Sequence, residues 1–293
     1  MPDYRCLPLD DRGLIRIGGP DARPFLQGLI SNDMDILRPD SALYAALLTP
    51  QGKFLFDFLL HDRGDHLLLD GERGRLGDLL RRLTLYRLRS KVTLEDVTGE
   101  LAVLAVFDRK AIDASALPSS GAVPDPRLPE LGLRVVLPRA EVDAFVERHG
   151  LERADRGQYE RLRLGLGVPD GSRDLLVDRS LLLESGFEEL HGVSFDKGCF
   201  VGQELTARTK HRGLIKRRLL PVRVDGPLPP PGTQVTRAGK DAGEVRSGEG
   251  ELALALLRLE QLAADGEPLM AGDAVLTPAP PPWLPMAALE RRR

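Results

Sequence analysis

The residues best suited to chemistry lie together at Lys197-Gly198-Cys199-Phe200-Val201-Gly202-Gln203-Glu204. A cysteine stands between two close glycines, with a lysine two residues before it and an amide and a carboxylate behind it. Gly198 and Gly202 permit unusual backbone angles and a close ligand approach. Lys197, and the basic stretch that follows, would favour the thiolate of Cys199, the form that attacks carbon and binds metal. The other reading of Cys199 is a small residue buried in a tight turn, which many single cysteines are. Gln203 and Glu204 offer donor, acceptor and acid functions that could read the edge of a heterocycle such as a pterin. They also fit the first turn of a helix running through Arg208.

The segment from Arg208 to Arg218 holds six Lys or Arg residues together with His211. It reads either as a solvated surface or as a patch for a polyanion: a polyglutamate tail, an acidic partner or nucleic acid. It contains no aromatic residue, so base stacking has little support. A cysteine nucleophile would need a histidine base held by a third group. His191 and His211 are near in sequence but have no recognisable setting. Two cysteines and five histidines at scattered positions do not supply the ligand spacing of a structural zinc site.

Elements that must position this loop follow from the apolar patterning. Gly13–Gly18 alternates as a half-buried strand. Pro20-Asp21 opens a helix with Phe25, Leu26, Leu29 and Ile30 on one face, ended by Ser31-Asn32-Asp33. Tyr44–Leu48 and Phe54–Leu60 read as a hairpin around the turn Thr49–Lys53. Asp57 interrupts the second strand (FLFDFLL). It is either an outward-facing strand residue or an acid aimed into a ligand cavity, because a buried carboxylate needs a partner. His66–Asp70 is a short strand, and Glu72–Leu88 a helix with leucines at spacings of three and four. Lys91–Val97 and Leu101–Phe107 are strands joined by Thr98-Gly99-Glu100. Pro118–Pro129 has no period and reads as a loop. Arg134–Leu137 is a strand, and Ala140–Arg148 and Asp155–Leu166 are helices. Asp170–Phe195 reads as long and weakly structured. From Arg217 onward, short strands at 217–224, 234–237, 243–246, 252–257 and 274–277 alternate with Gly/Pro turns, which predicts a small β-barrel. Residues 277–293 read as a loose tail.

The 293 residues allow two or three subdomains. The expected division is 1–95, 96–150, 151–215 and 216–293. The mix of short strands and helices without a βαβ rhythm predicts an α+β fold. No GxGxxG or Walker loop occurs, which argues against a dinucleotide or NTP enzyme. A net charge of −3 argues against wholesale coating of nucleic acid. Two cysteines 193 residues apart suggest a reduced compartment. No apolar run approaches a membrane span, and the first residues lack a signal-peptide core. A bacterial cytoplasm is expected first and a mitochondrial matrix second.

The stretch KGCFVGQELTART (197–209) closely resembles the signature of the YgfZ folate-binding proteins. Further matches run through Phe25–Asp33 (FLQGLISND), Leu48–Lys53, Gly167–Gly171, Leu183-Glu184-Ser185, Arg212-Gly213 and Lys216–Leu219. The resemblance covers most of the chain. It implies the fold of the glycine-cleavage T-protein, an aminomethyltransferase: a folate-binding ring of α+β subdomains followed by a C-terminal β-barrel. It also implies a tetrahydrofolate-linked role in assembly or repair of iron–sulfur clusters, especially [4Fe–4S], with indirect effects on tRNA modification in bacteria. On that resemblance Asp57, Glu184, Gln203, Glu204 and Arg208 are the candidate folate contacts. Cys199 is the reactive thiol and Lys197 the residue that tunes it. No metal site of the chain's own is expected. One thiol cannot hold a stable cluster, so any cluster would be shared through Cys199 with an iron–sulfur carrier, a client protein or a second copy.

Three departures bear on this. Gly165 stands where T-proteins carry a glutamate that helps hold the pterin. T-proteins lack the KGC loop. Arg12 stands near the position of a folate-lining tryptophan in some bacterial YgfZ proteins, and the only tryptophan here is Trp283. An aminomethyltransferase-like enzyme is the alternative function. An RNA-interaction module built on the basic stretch is a third.

Overall fold

The structure is a computed structural model and describes residues 4–108, 111–117, 121–213, 215–262 and 266–289. It has two compact units, each discontinuous in sequence. The first comprises residues 1–48, 55–156 and 191–201, and the second residues 49–54, 157–190 and 202–293.

The first unit carries two five-stranded sheets. In chain order its elements are β1 (Arg5–Pro8), β2 (Arg12–Gly18), α1 (Ala22–Gln27), β3 (Ala42–Leu48), β4 (Phe54–Asp62), β5 (His66–Glu72), α2 (Leu76–Arg87), β6 (Thr93–Asp96), β7 (Leu101–Phe107), β8 (Val123–Pro124), β9 (Leu133–Pro138), α3 (Val142–Arg148) and β10 (Glu152–Arg153). One sheet has the order β3-β4-β5-β2-β6, and the other β10-β1-β7-β9-β8. The expected hairpin of β3 and β4 is present as neighbouring strands. The strands on either side of Thr98–Glu100, though joined by a short connection, enter different sheets. β6 pairs with β2, whereas β7 lies between β1 and β9 in the other sheet. The physical reason lies in composition. β7 is the continuous apolar run LAVLAVF and needs cover on both faces, whereas β6, TLED, suits an exposed edge. Helix α3 supplies part of that cover, through Phe145 and Val146 against Ala102, Leu104 and Val106. Helix α2 turns Leu76, Leu79 and Leu83 inward.

The region read as a featureless loop at Pro118–Pro129 also departs from expectation where it is described (121–129). It contains β8, and its Asp125 and Arg127 are buried. Asp125 accepts from both Arg127 and Arg134, and Arg134 lies 3.8 Å from Asp70, which Arg12 also engages. The two sheets of this unit thus meet partly through a chain of arginines and carboxylates. Burial alone would raise the carboxyl of Asp125. The two guanidinium groups outweigh it and hold the group well below the ordinary carboxylate range.

The second unit contains α4 (Arg156–Gly165), α5 (Gly171–Asp174), α6 (Gln203–His211) and a barrel. The barrel is built from β11 (Arg217–Asp225), β12 (Gln234–Arg237), β13 (Lys240–Glu249), β14 (Leu252–Arg258), the short α7 (Leu259–Leu262), β15 (Leu269–Ala271) and β16 (Ala274–Pro278). It closes in the order β11-β14-β13-β12-β15-β16, with β16 returning to β11. Leu220, Val222, Val235, Val245, Ala255 and Leu257 fill its core. The strand β15 was not legible in sequence, being three residues long. Residues 170–190 have little regular structure but are largely buried, with Leu175, Leu182, Leu183, Phe187 and Leu190 in the core. The supposed loose tail is packed as far as it is described. Trp283 donates its ring N–H to the Leu166 carbonyl at 2.7 Å, and Leu284 is buried against the barrel. The last residues of that tail, 290–293, lie outside the described ones.

Candidate functional site

The loop carrying Cys199 is fixed from the end of α1. The polar triplet Ser31-Asn32-Asp33 follows an apolar helix face and has no periodic partner of its own. Its groups are spent on the returning chain. Ser31 Oγ donates to the Gly192 carbonyl at 2.6 Å, and the Ser194 N–H donates to the Ser31 carbonyl at 2.9 Å. Asn32 Nδ2 donates to the carbonyls of Tyr44 and His191, both at 2.7 Å. Gln27 donates to Asp33 Oδ1 and accepts from the Met34 N–H. The backbone of His191–Val201 is held to the first sheet by these bonds.

Lys197 completes the anchor. Its side chain turns inward and is only 6% exposed. Nζ donates to the Ile30 carbonyl at 2.8 Å and to the Asn32 carbonyl at 2.7 Å, and lies 5.2 Å from the Phe200 ring centroid. Burial pushes its pKa down to about 8, against the pull of Asp33 and Asp35. At neutral pH it is therefore mainly an ammonium ion and a donor. The Asp33 carboxyl is held below its ordinary range by the Asp35 amide, with help from Gln27 and the charge of Lys197. Lys197 thus acts on the cysteine loop through the main chain: it pins the turn in which Gly198 and Cys199 stand exposed.

The two cysteines are opposites. Cys6, in β1, is fully buried, and burial raises its thiol pKa to about 11, with Arg153 opposing. Cys199 is exposed. Among the described residues no group of three or more His, Cys, Asp or Glu is arranged to hold a metal ion.

Asp57 occupies the same unit, on β4. It is 5% exposed and accepts from the Tyr44 hydroxyl at 3.0 Å. Burial, with the Asp57 charge beside it, pushes the Tyr44 phenol well up, so that Tyr44 remains a donor. The Arg127 guanidinium lies over the Tyr44 ring at 5.5 Å. Of the two readings of Asp57, the outward-facing surface residue is excluded by its burial. A buried carboxylate beside a hydroxyl donor suits an amino-pyrimidine edge, which presents a ring N–H and an exocyclic amine together. The chemistry of this donor set fits a pterin. Arg12 is committed to Asp70, through its Nε to the carboxylate at 2.6 Å and its Nη2 to the carbonyl at 2.7 Å.

Gln203, Glu204 and Arg208 belong to the second unit, on α6, which begins as expected immediately after Gly202. Gly202 has φ +84°, a conformation that glycine alone adopts without penalty. The turn at Thr49–Lys53 packs against this helix start. A Cβ on Gly52, itself at φ +72°, would meet the Gly202 carbonyl oxygen at 2.8 Å and the Leu205 Cβ at 2.9 Å. The Glu204 carboxylate is exposed and pairs with Arg208 one turn on, at 3.2 Å. Glu184 is buried and paired with Arg217 at 3.1 Å. Both carboxylates are thus already engaged by guanidinium groups. Gly165 is the last residue of α4 and is exposed. Five residues earlier in the helix, Glu160 is buried between Arg163 and Arg173. Burial would raise its carboxyl, but the two arginines outweigh burial and hold it low.

Asn32 and Tyr44 stand in the sequence as parts of larger patterns, a helix end and a strand. Their signals were present: a run of three polar residues closing an apolar helix, and a tyrosine within an otherwise aliphatic strand.

The family model for the CAF17 C-terminal β-barrel domain matches residues 216–286, the barrel described above. The chain is 40% identical to the human protein named "Iron-sulfur cluster assembly factor IBA57, mitochondrial", over 88% of this chain and 79% of that protein. It is 36% identical to the mouse protein of the same name, over 97% and 87% of the two chains. Among solved structures it resembles the glycine cleavage system aminomethyltransferase T from Bartonella henselae, with a TM-score of 0.75 and 16% identity, over 96% of this chain and 86% of that one. That likeness bears on the fold alone and agrees with the T-protein-like α+β architecture.

Proposed function

The chain belongs to the family of IBA57 iron–sulfur cluster assembly factors, and from that premise we propose that it is a tetrahydrofolate-binding accessory protein that offers one thiol, Cys199, to a cluster shared with a carrier or client protein. The observation that carries this reading is the contrast between an exposed Cys199 on a loop pinned from beneath by Lys197 and a Cys6 sealed in the core. Clusters are commonly held by about four thiolate or equivalent ligands. With a single exposed cysteine, this chain supplies one ligand and a partner the rest.

Asp57, with Tyr44 behind it, is the group we assign to the pterin edge. Tetrahydrofolate, when bound, supplies a reduced ring able to carry a one-carbon unit. Asp57 binds and orients, and Tyr44 holds the carboxylate in place. Gly165 offers no carboxylate, so no observation favours the aminomethyl-transfer reading. The same reading puts the protein in a reducing compartment, where an exposed thiol persists.

The reading is tested by visible absorption of the wild-type protein mixed with a purified iron–sulfur carrier under anaerobic loading. A cluster spectrum that depends on both proteins is expected, and a Cys199→Ala variant should lose it. An unchanged spectrum with that variant refutes the role of the thiol.

A further inference from the structure

Helix α2 ends in a turn of unusual backbone geometry. Leu88, its C-terminal cap, has φ +46° and ψ −108°. The Ser90 N–H donates to the Arg87 carbonyl at 2.8 Å, closing a turn with Leu88 at its second position. These angles are those of a type II′ turn, where that position is ordinarily glycine. A leucine there is strained, and backbone strain of this kind clusters at functional sites. Nor does the side chain gain from burial: Leu88 is 86% exposed, and Leu85, three residues before it, is 76% exposed. The core-facing leucines of the helix are Leu76, Leu79 and Leu83.

Along the sequence the charge around these leucines is of one sign, and Asp21 is the acidic exception that the fold brings near. From Leu79 to Lys91 there are five cations, Arg81, Arg82, Arg87, Arg89 and Lys91, and no Asp or Glu. Arg81 pairs with Asp78. Arg82, Arg89 and Lys91 have no ion-pair partner among the described residues. Leu88 and Arg89 border a shallow depression with Asp21 and Ser90, and Asp21 accepts from the Lys91 N–H at 2.7 Å.

We propose that the end of α2, with Leu85 and Leu88 as apolar anchors and Arg82, Arg89 and Lys91 as a cationic rim, is a docking surface for an acidic protein with an apolar socket. Resting on the function proposed above, that partner is the iron–sulfur carrier. Charge complementarity selects the class of occupant. Four of the five cations are arginines, whose planar forks match carboxylates and which are enriched in protein interfaces. A second copy docked symmetrically would set arginine against arginine. Two leucines give little apolar area for insertion into an anionic bilayer.

The test uses the full chain with Leu88→Gly, Leu88→Met and Arg89→Glu substitutions, and Cys199→Ala as a control. Leu88→Gly removes the anchor and relieves the turn, so its melting midpoint should be no lower than that of the wild type. Its Kd for a purified acidic iron–sulfur carrier, measured by calorimetry, should weaken by about tenfold, as for loss of one interface anchor. Leu88→Met should bind as the wild type does. Arg89→Glu should weaken binding and flatten its dependence on salt. Carrier binding by Leu88→Gly and Arg89→Glu equal to that of the wild type overturns the proposal. So does cosedimentation of the wild type, but not of Leu88→Gly, with vesicles of phosphatidylglycerol and phosphatidylcholine, or a wild-type dimer that Leu88→Gly dissociates. Binding is measured with cluster-free carrier, so that the Cys199 ligand plays no part in it. Full cluster-enzyme rescue in cells by Cys199→Ala would bring down the functional reading while the binding comparison still decided the docking surface.

Discussion

The side-chain nitrogen of Lys197 donates to the main-chain oxygen of Asn32 at 2.7 Å, across 165 residues of sequence. Asn32 in turn donates to the Tyr44 carbonyl, and Tyr44 donates through its hydroxyl to Asp57. A short covalent and hydrogen-bonded path therefore connects the anchor of the cysteine loop to the buried carboxylate assigned to folate, within one unit.

Replacing Lys197 by Met removes both donors to the Ile30 and Asn32 carbonyls. The expected loss is about 1–3 kcal/mol of unfolding free energy, the cost of leaving buried acceptors unpaired. Urea melts read the stability. Alkylation of Cys199 should also change in rate, because the turn that presents it is no longer pinned. A variant as stable as the wild type with the same alkylation rate would remove the anchoring role.

Thiol chemistry should separate the two cysteines. Brief iodoacetamide treatment of the native protein should give a single adduct, located at Cys199 by peptide mass spectrometry. Cys6 should react only after denaturation, since it is fully buried and its thiol pKa is raised to about 11. Two adducts on the folded protein would contradict the assignment.

His61 sets a pH dependence. Burial lowers its pKa from 6.5 to about 4, with Asp70 and Asp125 opposing and Arg63 and Arg134 assisting. The unfolded chain takes up a proton as pH falls through 6.5, and the folded chain does so only near 4. The stability associated with neutral His61 is therefore present above pH 6.5 and lost progressively toward pH 4, by up to about 3 kcal/mol. Asp125, held low by its arginines, loses its contribution in a more acidic window. Denaturant melts of the wild type and His61→Gln between pH 7 and 4 should show a shallower slope for the variant, and equal slopes would contradict this account.

Asp57 and Tyr44 should be coupled. Tyr44→Phe removes a donor to a buried carboxylate and should cost about 1–3 kcal/mol. Asp57→Asn should weaken tetrahydrofolate binding by calorimetry. Undiminished binding by Asp57→Asn would remove the carboxylate from the folate assignment.

Much of the scaffold was legible because it is periodic. The alternation at 13–18, the apolar hairpin around Thr49–Lys53 and the short strands after Arg217 each followed from local pattern. Contacts between segments far apart in sequence were not legible. β1 joins β7 across about a hundred residues, and no local signal says which sheet a four-residue strand will enter. Asp125 and Arg127 lie in a stretch rich in Pro, Ser and Gly with no period, which reads as a loop. Their burial depends on Arg134 and Asp70, which only the folded chain brings near. Lys197 was expected to act on its neighbour Cys199. It turns inward instead, because the carbonyls of Ile30 and Asn32, past the end of α1, offer a buried ammonium ion two acceptors.

The central claim, a single exposed thiol working on a shared cluster, is met most directly in cells lacking the protein. The activity of a [4Fe–4S] enzyme is measured after rescue with the wild type, Cys199→Ala or Cys6→Ala, at matched protein levels. The account predicts rescue by the wild type and Cys6→Ala and its loss with Cys199→Ala. Full rescue by Cys199→Ala would contradict it.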